Sequence, residues 1–207
     1  SLLFKNGGTG TGTVMALDSS GRLLLGTTTE GEGGADNLTI ADSGNCGITL
    51  RSGTSSQSSI HFSDATSGTG EYDGFLVYNQ NDRNFKIGTA SSTRLTIDSS
   101  GRVGIGNTIM SSFTANAADN LVVGSGSGGE GITVYSATNN QGSLTFADGT
   151  SGDAAYRGAI EYSHTSDKLV FRTAGVTNRA TIDSSGRLLL GTTTEGESGA
   201  DDLTIAT

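Results

Sequence analysis

Leu95-Thr-Ile-Asp98-Ser-Ser-Gly101-Arg-Val-Gly-Ile105 decides how this chain folds. Apolar residues alternate on both flanks, the period of half-buried strands. Between them Asp98 suits the first position of a type I turn, because its carboxylate can accept hydrogen bonds from turn amides. Gly101 supplies the left-handed conformation that closes a three-residue loop with a bulge. The stretch reads as a β-hairpin. Its Asp-Ser-Ser-Gly-Arg motif also opens at Asp18 and Asp183, so the three copies stand at nearly even intervals.

More than the turn repeats. The stretch from Asp18 to Ala41 recurs at Asp183 to Ala206 with two changes, Gly33 to Ser198 and Asn37 to Asp202. Gly47-Ile-Thr-Leu50 matches Gly131-Ile-Thr-Val134, Ser59-Ile-His-Phe62 matches Ser143-Leu-Thr-Phe146, and Tyr72 matches Tyr156. What recurs is apolar, glycine or turn-forming, while polar positions drift. Self-similarity at near-constant spacing predicts an array of one supersecondary unit. The expected organisation is the end of a truncated repeat at 1–17, β repeats at 18–97 and 98–182, and the start of another at 183–207. A second hairpin is expected at Ile160-Glu-Tyr162, turning through His164 to Asp167 into Leu169-Val-Phe171. Ile132-Thr-Val134 also has strand alternation. The only helix candidate is Phe113 to Asn120. The apolar opening, Leu2-Leu3-Phe4, corresponds to Leu169-Val170-Phe171, as in a piece excised from a longer protein.

Composition narrows the class. Leu, Ile, Val and Phe make up 43 of 207 residues, about one-fifth, close to the level below which a charged chain stays disordered. Strand patterning with so few bulky side chains predicts association with identical chains, which would also cover strand edges. The net charge of −9 speaks against a nucleic-acid partner. No run of 18 apolar residues exists, so membrane insertion through a helix is not expected. The single cysteine, Cys46, cannot form an intrachain disulfide, and its counterpart in the next copy is Glu130 or Gly131.

The run Tyr156-Arg-Gly-Ala-Ile-Glu-Tyr162-Ser-His, then Asp167-Lys-Leu-Val-Phe171, then Ile182-Asp-Ser-Ser-Gly-Arg187, resembles the shaft repeats of tailed-bacteriophage tail fibres and related virion structural proteins. The likeness covers nearly the whole chain. It implies an all-β, elongated, repetitive β-hairpin array in a homotrimeric β-prism or β-helix shaft, with strands intertwined or abutting. It further implies an extracellular place on the virion, other fibre or tail proteins as partners, and a role in host attachment. Such fibres often end in a self-cleaving chaperone domain, which nothing here matches. Family members continue the motif into Gly-Thr-Thr-Ser-Pro. Here it reads Gly26-Thr-Thr-Thr-Glu30, Gly191-Thr-Thr-Thr-Glu195 and Gly106-Asn-Thr-Ile109, so a different path after the hairpin is expected.

Catalytic and metal chemistry find no support in these residues. Gly124-Ser-Gly126-Ser-Gly-Gly129 satisfies a dinucleotide pattern, but a strand pattern follows where the pyrophosphate needs a helix. His61 and His164 occupy unrelated repeat positions and lack neighbouring ligands. Glu71 and Asp73 flank Tyr72, but their counterparts are Ala155 and Arg157. Asp148 to Asp153 lacks the acidic density of a calcium loop. No catalytic residue, cofactor or metal is expected. The alternative readings are a glycan-binding or glycan-cleaving module, with Tyr72 and Tyr135 as ligand-binding candidates for host cell-surface polysaccharide, and a β-solenoid of a bacterial adhesin.

Overall fold

The structure is a computed structural model that describes residues 2–5, 13–113, 118–197 and 203–205. The chain is all-β: among the described residues every regular element is a strand or a short 3-10 turn. It divides into two compact units, Ser1–Ser125 and Gly126–Thr207. The helix candidate at 113–120 falls partly on 114–117, outside the described residues.

Unit 1 holds two sheets. The first contains β1 (Leu2–Lys5), β2 (Thr13–Leu17), β3 (Leu23–Leu25) and β4 (Leu38–Ile40) in that order. The second contains β5 (Gln57–Phe62), β6 (Gly74–Asn79), β7 (Asn84–Thr89), β8 (Ser92–Ile97), β9 (Val103–Ile105) and β10 (Leu121–Val123), again ordered along the chain. Unit 2 repeats the six-stranded pattern with β11 (Gln141–Phe146), β12 (Gly158–Ser163), β13 (Lys168–Thr173), β14 (Thr177–Ile182), β15 (Leu188–Leu190) and β16 (Leu203–Ile205). None of the three sheets closes on itself.

Each sheet is an antiparallel meander that ends in one parallel pair: β3 with β4, β9 with β10, and β15 with β16. Parallel neighbours need a connection of a dozen or more residues. The chain supplies 12, 15 and 12 between the paired strands.

The Asp-Ser-Ser-Gly-Arg turns join β2 to β3, β8 to β9 and β14 to β15, in each sheet the antiparallel pair next to the closing parallel pair. In the second of them the Ser100 and Arg102 amides donate to Asp98 Oδ1 at 2.9 and 3.0 Å. Gly101 has φ +82°, a conformation costly for any side chain. The three-residue loop and bulge expected from the sequence are present. The arginine adds a clamp. Arg102 Nε donates to Asp98 Oδ2 at 2.7 Å, and its Nη1 lies 2.9 Å from Asp119, just before β10. Arg22 bridges Asp18 and Asp36 in the same way, 2.8 Å from the latter. One cation thus ties each of these two hairpins to the strand that returns beside it.

These contacts depress the turn carboxylates. The Arg22 backbone amide holds Asp18 below the usual carboxylate range, and the Arg187 guanidinium does the same to Asp183. At Asp98 burial pushes upward, and hydrogen bonds from the Arg102 side chain and amide outweigh it.

Strand period sorts side chains onto two faces. In the second sheet, register puts Ser59, Val77, Lys86, Thr96, Gly104 and Val122 in one row across five strand pairs. Val77 and Thr96 in that row are buried, and Met110 packs over it so closely that a Cβ on Gly104 would lie 2.5 Å from its sulfur. The matching row in unit 2 contains Glu161, Val170, Thr181 and Leu189, all buried. Ala16 and Leu24 take those places in the first sheet. This covered face is the core of each sheet. It is small: seven apolar side chains are buried among the described residues, against 30 large apolar ones left exposed.

Candidate association surface

The opposite face of each sheet is the one that carries the bulk of the apolar residues. In the second sheet register brings together Ile60 and Leu76, then Tyr78 and Phe85, then Ile87 and Leu95, then Ile97 and Val103. In unit 2 the equivalent positions hold Leu144, Ile160, Tyr162, Leu169, Phe171 and Ile182. None of these residues is charged. Lys86, Glu161, Lys168 and Arg172 occupy the covered face, while Arg94 and Arg179, at the bulges of β8 and β14, donate to Thr89 and Thr173, which share the open side with Ile87 and Phe171. Yet this apolar face is open, with Phe62 60% and Leu144 58% exposed. Contiguous apolar patches of this kind mark association sites.

Along one border of the open face lies a segment that the alternation Ile132-Thr-Val134 assigned to a strand. It forms none. Residues 131–137 run without turn or bend and outside any ladder, and residues 45–53 do the same in unit 1. The physical reason is plain: a strand needs a neighbouring backbone to pair with, and no described residue pairs with the segment. Both still touch their sheet. Ser58 Oγ donates to the Leu50 carbonyl at 3.0 Å, and Ile48 with Leu50 lines a groove of about 320 Å³ beside Ile60, Tyr78 and Phe85. Val134 lines a groove of about 370 Å³ beside Leu144, Ile160 and Leu169.

The two tyrosines singled out from the sequence lie in different units. Tyr72 closes the 3-10 turn Gly68–Tyr72, 6.3 Å from the His61 ring. It borders a groove of about 390 Å³ on the covered face, lined also by Gln57, Phe75, Lys86 and Thr93. Tyr135 sits in the unpaired segment, 96% exposed. His164 stacks edge-on against Tyr162 at 5.1 Å, which fits a turn residue of the β12–β13 hairpin. Cys46 is a free, exposed thiol. No group of three or more His, Cys, Asp or Glu side chains among the described residues could hold a metal ion. No helix follows Gly124–Gly129, and none among the described residues is long and apolar enough to cross a membrane.

Sequence reasoning missed a set of compensating pairs on the covered face. Phe75 faces Gly88 across β6 and β7, and a Cβ on Gly88 would come 2.1 Å from the Phe75 ring. At the equivalent place in unit 2, Ala159 faces Arg172. Arg172 donates to the buried Glu161 Oε1 at 2.7 Å, and Glu161 replaces Val77. A large–small pair in one repeat becomes a small–charged pair in the other, with the carboxylate beside it. Only aligned registers reveal this.

No protein-family model matches the chain, and no curated protein matches it either.

Proposed function

We propose that the chain is a structural segment of a fibre shaft on a tailed phage particle, three copies of which associate through the open apolar faces of their sheets into a β-prism and hold a receptor-binding tip away from the particle. One observation carries this reading: each six-stranded sheet leaves the same apolar rows uncovered, with Lys86 in one sheet and Glu161, Lys168 and Arg172 in the other turned to the opposite face, and with no carboxylate in those rows. An acidic chain that keeps carboxylates off these apolar rows can meet its own copies there with little repulsion between acidic groups. The reading needs no catalytic residue. Sedimentation equilibrium tests it, and the expected mass is that of three chains. A single-chain mass at micromolar concentration overturns it.

A second reading has its own observation. The groove beside Tyr72 combines an aromatic edge, the His61 ring, the Lys86 ammonium and the hydroxyl and amide groups of Thr93 and Gln57, the kind of lining that receives a saccharide. It lies on the face that self-association leaves free. Binding of a host polysaccharide that is lost in Tyr72→Ala supports it, and an unchanged Tyr135→Ala protein separates the two candidate tyrosines.

A further inference from the structure

Among the described residues, the backbone of Ile48–Leu50 and Ile132–Val134 is almost unused. The amides of Ile48, Thr49 and Leu50 donate no hydrogen bond to any described residue, nor do those of Ile132, Thr133 and Val134. Of the six carbonyls, only that of Leu50 accepts one from a described residue, Ser58. Backbone donors and acceptors normally end in a ladder, a cap or water. Segments left to water are ordinarily polar, and these are not: Ile48 is 64% and Ile132 72% exposed. Straight chain, strand alternation, exposed branched side chains and free backbone groups together describe a β-strand without its neighbour.

We infer that Gly47–Leu50 and Gly131–Val134 are strands completed by backbone hydrogen bonds to a second copy of this chain. This rests on the fibre reading and names where the copies join. Three observations select a second copy over a foreign partner. The segment occurs twice, one repeat apart, at the same place on equivalent sheets. Identical chains in register therefore present each segment with its own counterpart in both repeats, whereas a foreign partner would need the same repeat. Next, the segments border the open apolar face and contain no charge, so identical chains of net charge −9 can close there. Size also fits. A large side chain carries on the order of 150–200 Å². Nine exposed ones, seven on the second sheet plus Ile48 and Leu50, at about half exposure present on the order of 700 Å². Stable interfaces bury about 800 Å² per partner.

Hydrogen–deuterium exchange on the full chain tests the inference, read beside sedimentation of the same sample. The comparison protein carries Ile87→Asp and Phe171→Asp, which place charge on the open faces to separate the copies. With one neighbour, only alternate N–H groups of a strand point at it. At least half of the amides in 48–50 and 132–134 should therefore exchange about 100-fold more slowly than free peptide in the associated protein. They should exchange freely in the separated variant. Free exchange in an associated sample overturns the inference and leaves the fibre reading standing. Equal protection in both proteins overturns it too, since the strands would then pair within their own chain. A wild-type sample of single chains removes the fibre reading and this inference together.

Discussion

The sheet of β5 to β10 and the sheet of β11 to β16 share a strand order, a register and an open face, yet differ on the covered one. On the open face the pairs are conservative in kind: Ile60 and Leu144, Phe62 and Phe146, Tyr78 and Tyr162, Ile87 and Phe171, Ile97 and Ile182. On the covered face Phe75, Val77 and Gly88 give way to Ala159, Glu161 and Arg172. Packing inside a sheet can be re-solved locally, because each partner is a neighbour in the same unit and can change with it. A face that meets something outside the sheet has no such freedom. Under the proposed association, the contrast fits a constraint from a second copy on the apolar side.

The largest effect should come from breaking one solution without supplying the other. Arg172→Ala strands the buried Glu161 carboxylate, a change expected to lower stability by about 3–5 kcal/mol. Importing the whole set, Ala159→Phe with Glu161→Val and Arg172→Gly, should return to within about 1.5 kcal/mol of the parent. Urea unfolding at fixed protein concentration measures both, and equal losses would break the comparison.

Gly88→Ala probes the same place in unit 1. The new methyl meets the Phe75 ring and should destabilise by about 1–3 kcal/mol. Adding Phe75→Ala should relieve that clash, so the double-mutant cycle should show coupling. Additive losses would mean that Phe75 and Gly88 are independent.

A smaller difference lies in the β7–β8 and β13–β14 turns. Ala90 and Ser91 have φ of +50° and +56°, whereas the second turn has Ala174 at +55° and Gly175 at +77°. Two positive angles are the signature of a type I′ turn, which favours Asn-Gly. Ala90→Asn and Ala174→Asn should each stabilise by about 0.5 kcal/mol. Ser91→Gly should add less than its angle suggests, because the Ser91 hydroxyl also donates to the Thr69 carbonyl at 3.0 Å. Thermal melts that leave both turns unchanged would refute the strain.

The smallest effect per site concerns pH. Asp18, Asp98 and Asp183 are depressed in the fold, so each contributes stability that is present above the unfolded value, about 3.9, and is lost as pH falls through the lower folded value. Stability should decline with acidification below about pH 4–5, and replacing all three by Asn should flatten that slope. An unchanged slope would exclude these carboxylates as its source.

Much of the local structure was legible in the residues. Asp98, Gly101 and their copies specify the turn, because a carboxylate at its first position and a glycine at its left-handed position are local requirements. The alternation around Tyr162 and Phe171 likewise placed a hairpin where β12 and β13 form one. The Tyr72 groove was only half legible, since the tyrosine stood out but Phe75 and Lys86 join it through register. The Arg102–Asp119 clamp was hidden for the same reason: its ends are separated by the whole crossover and meet only once that connection has returned.

Sequence alone determined that this chain is built from strands, where its tight turns fall, and that a unit recurs, because backbone sterics and side-chain alternation act over a few residues. Tertiary structure decided which face of each sheet is covered, which pairs compensate across it, and that Ile48–Leu50 and Ile132–Val134 stay outside the ladders. Those outcomes depend on which backbones come within hydrogen-bonding reach, a property of the folded chain rather than of any short stretch within it.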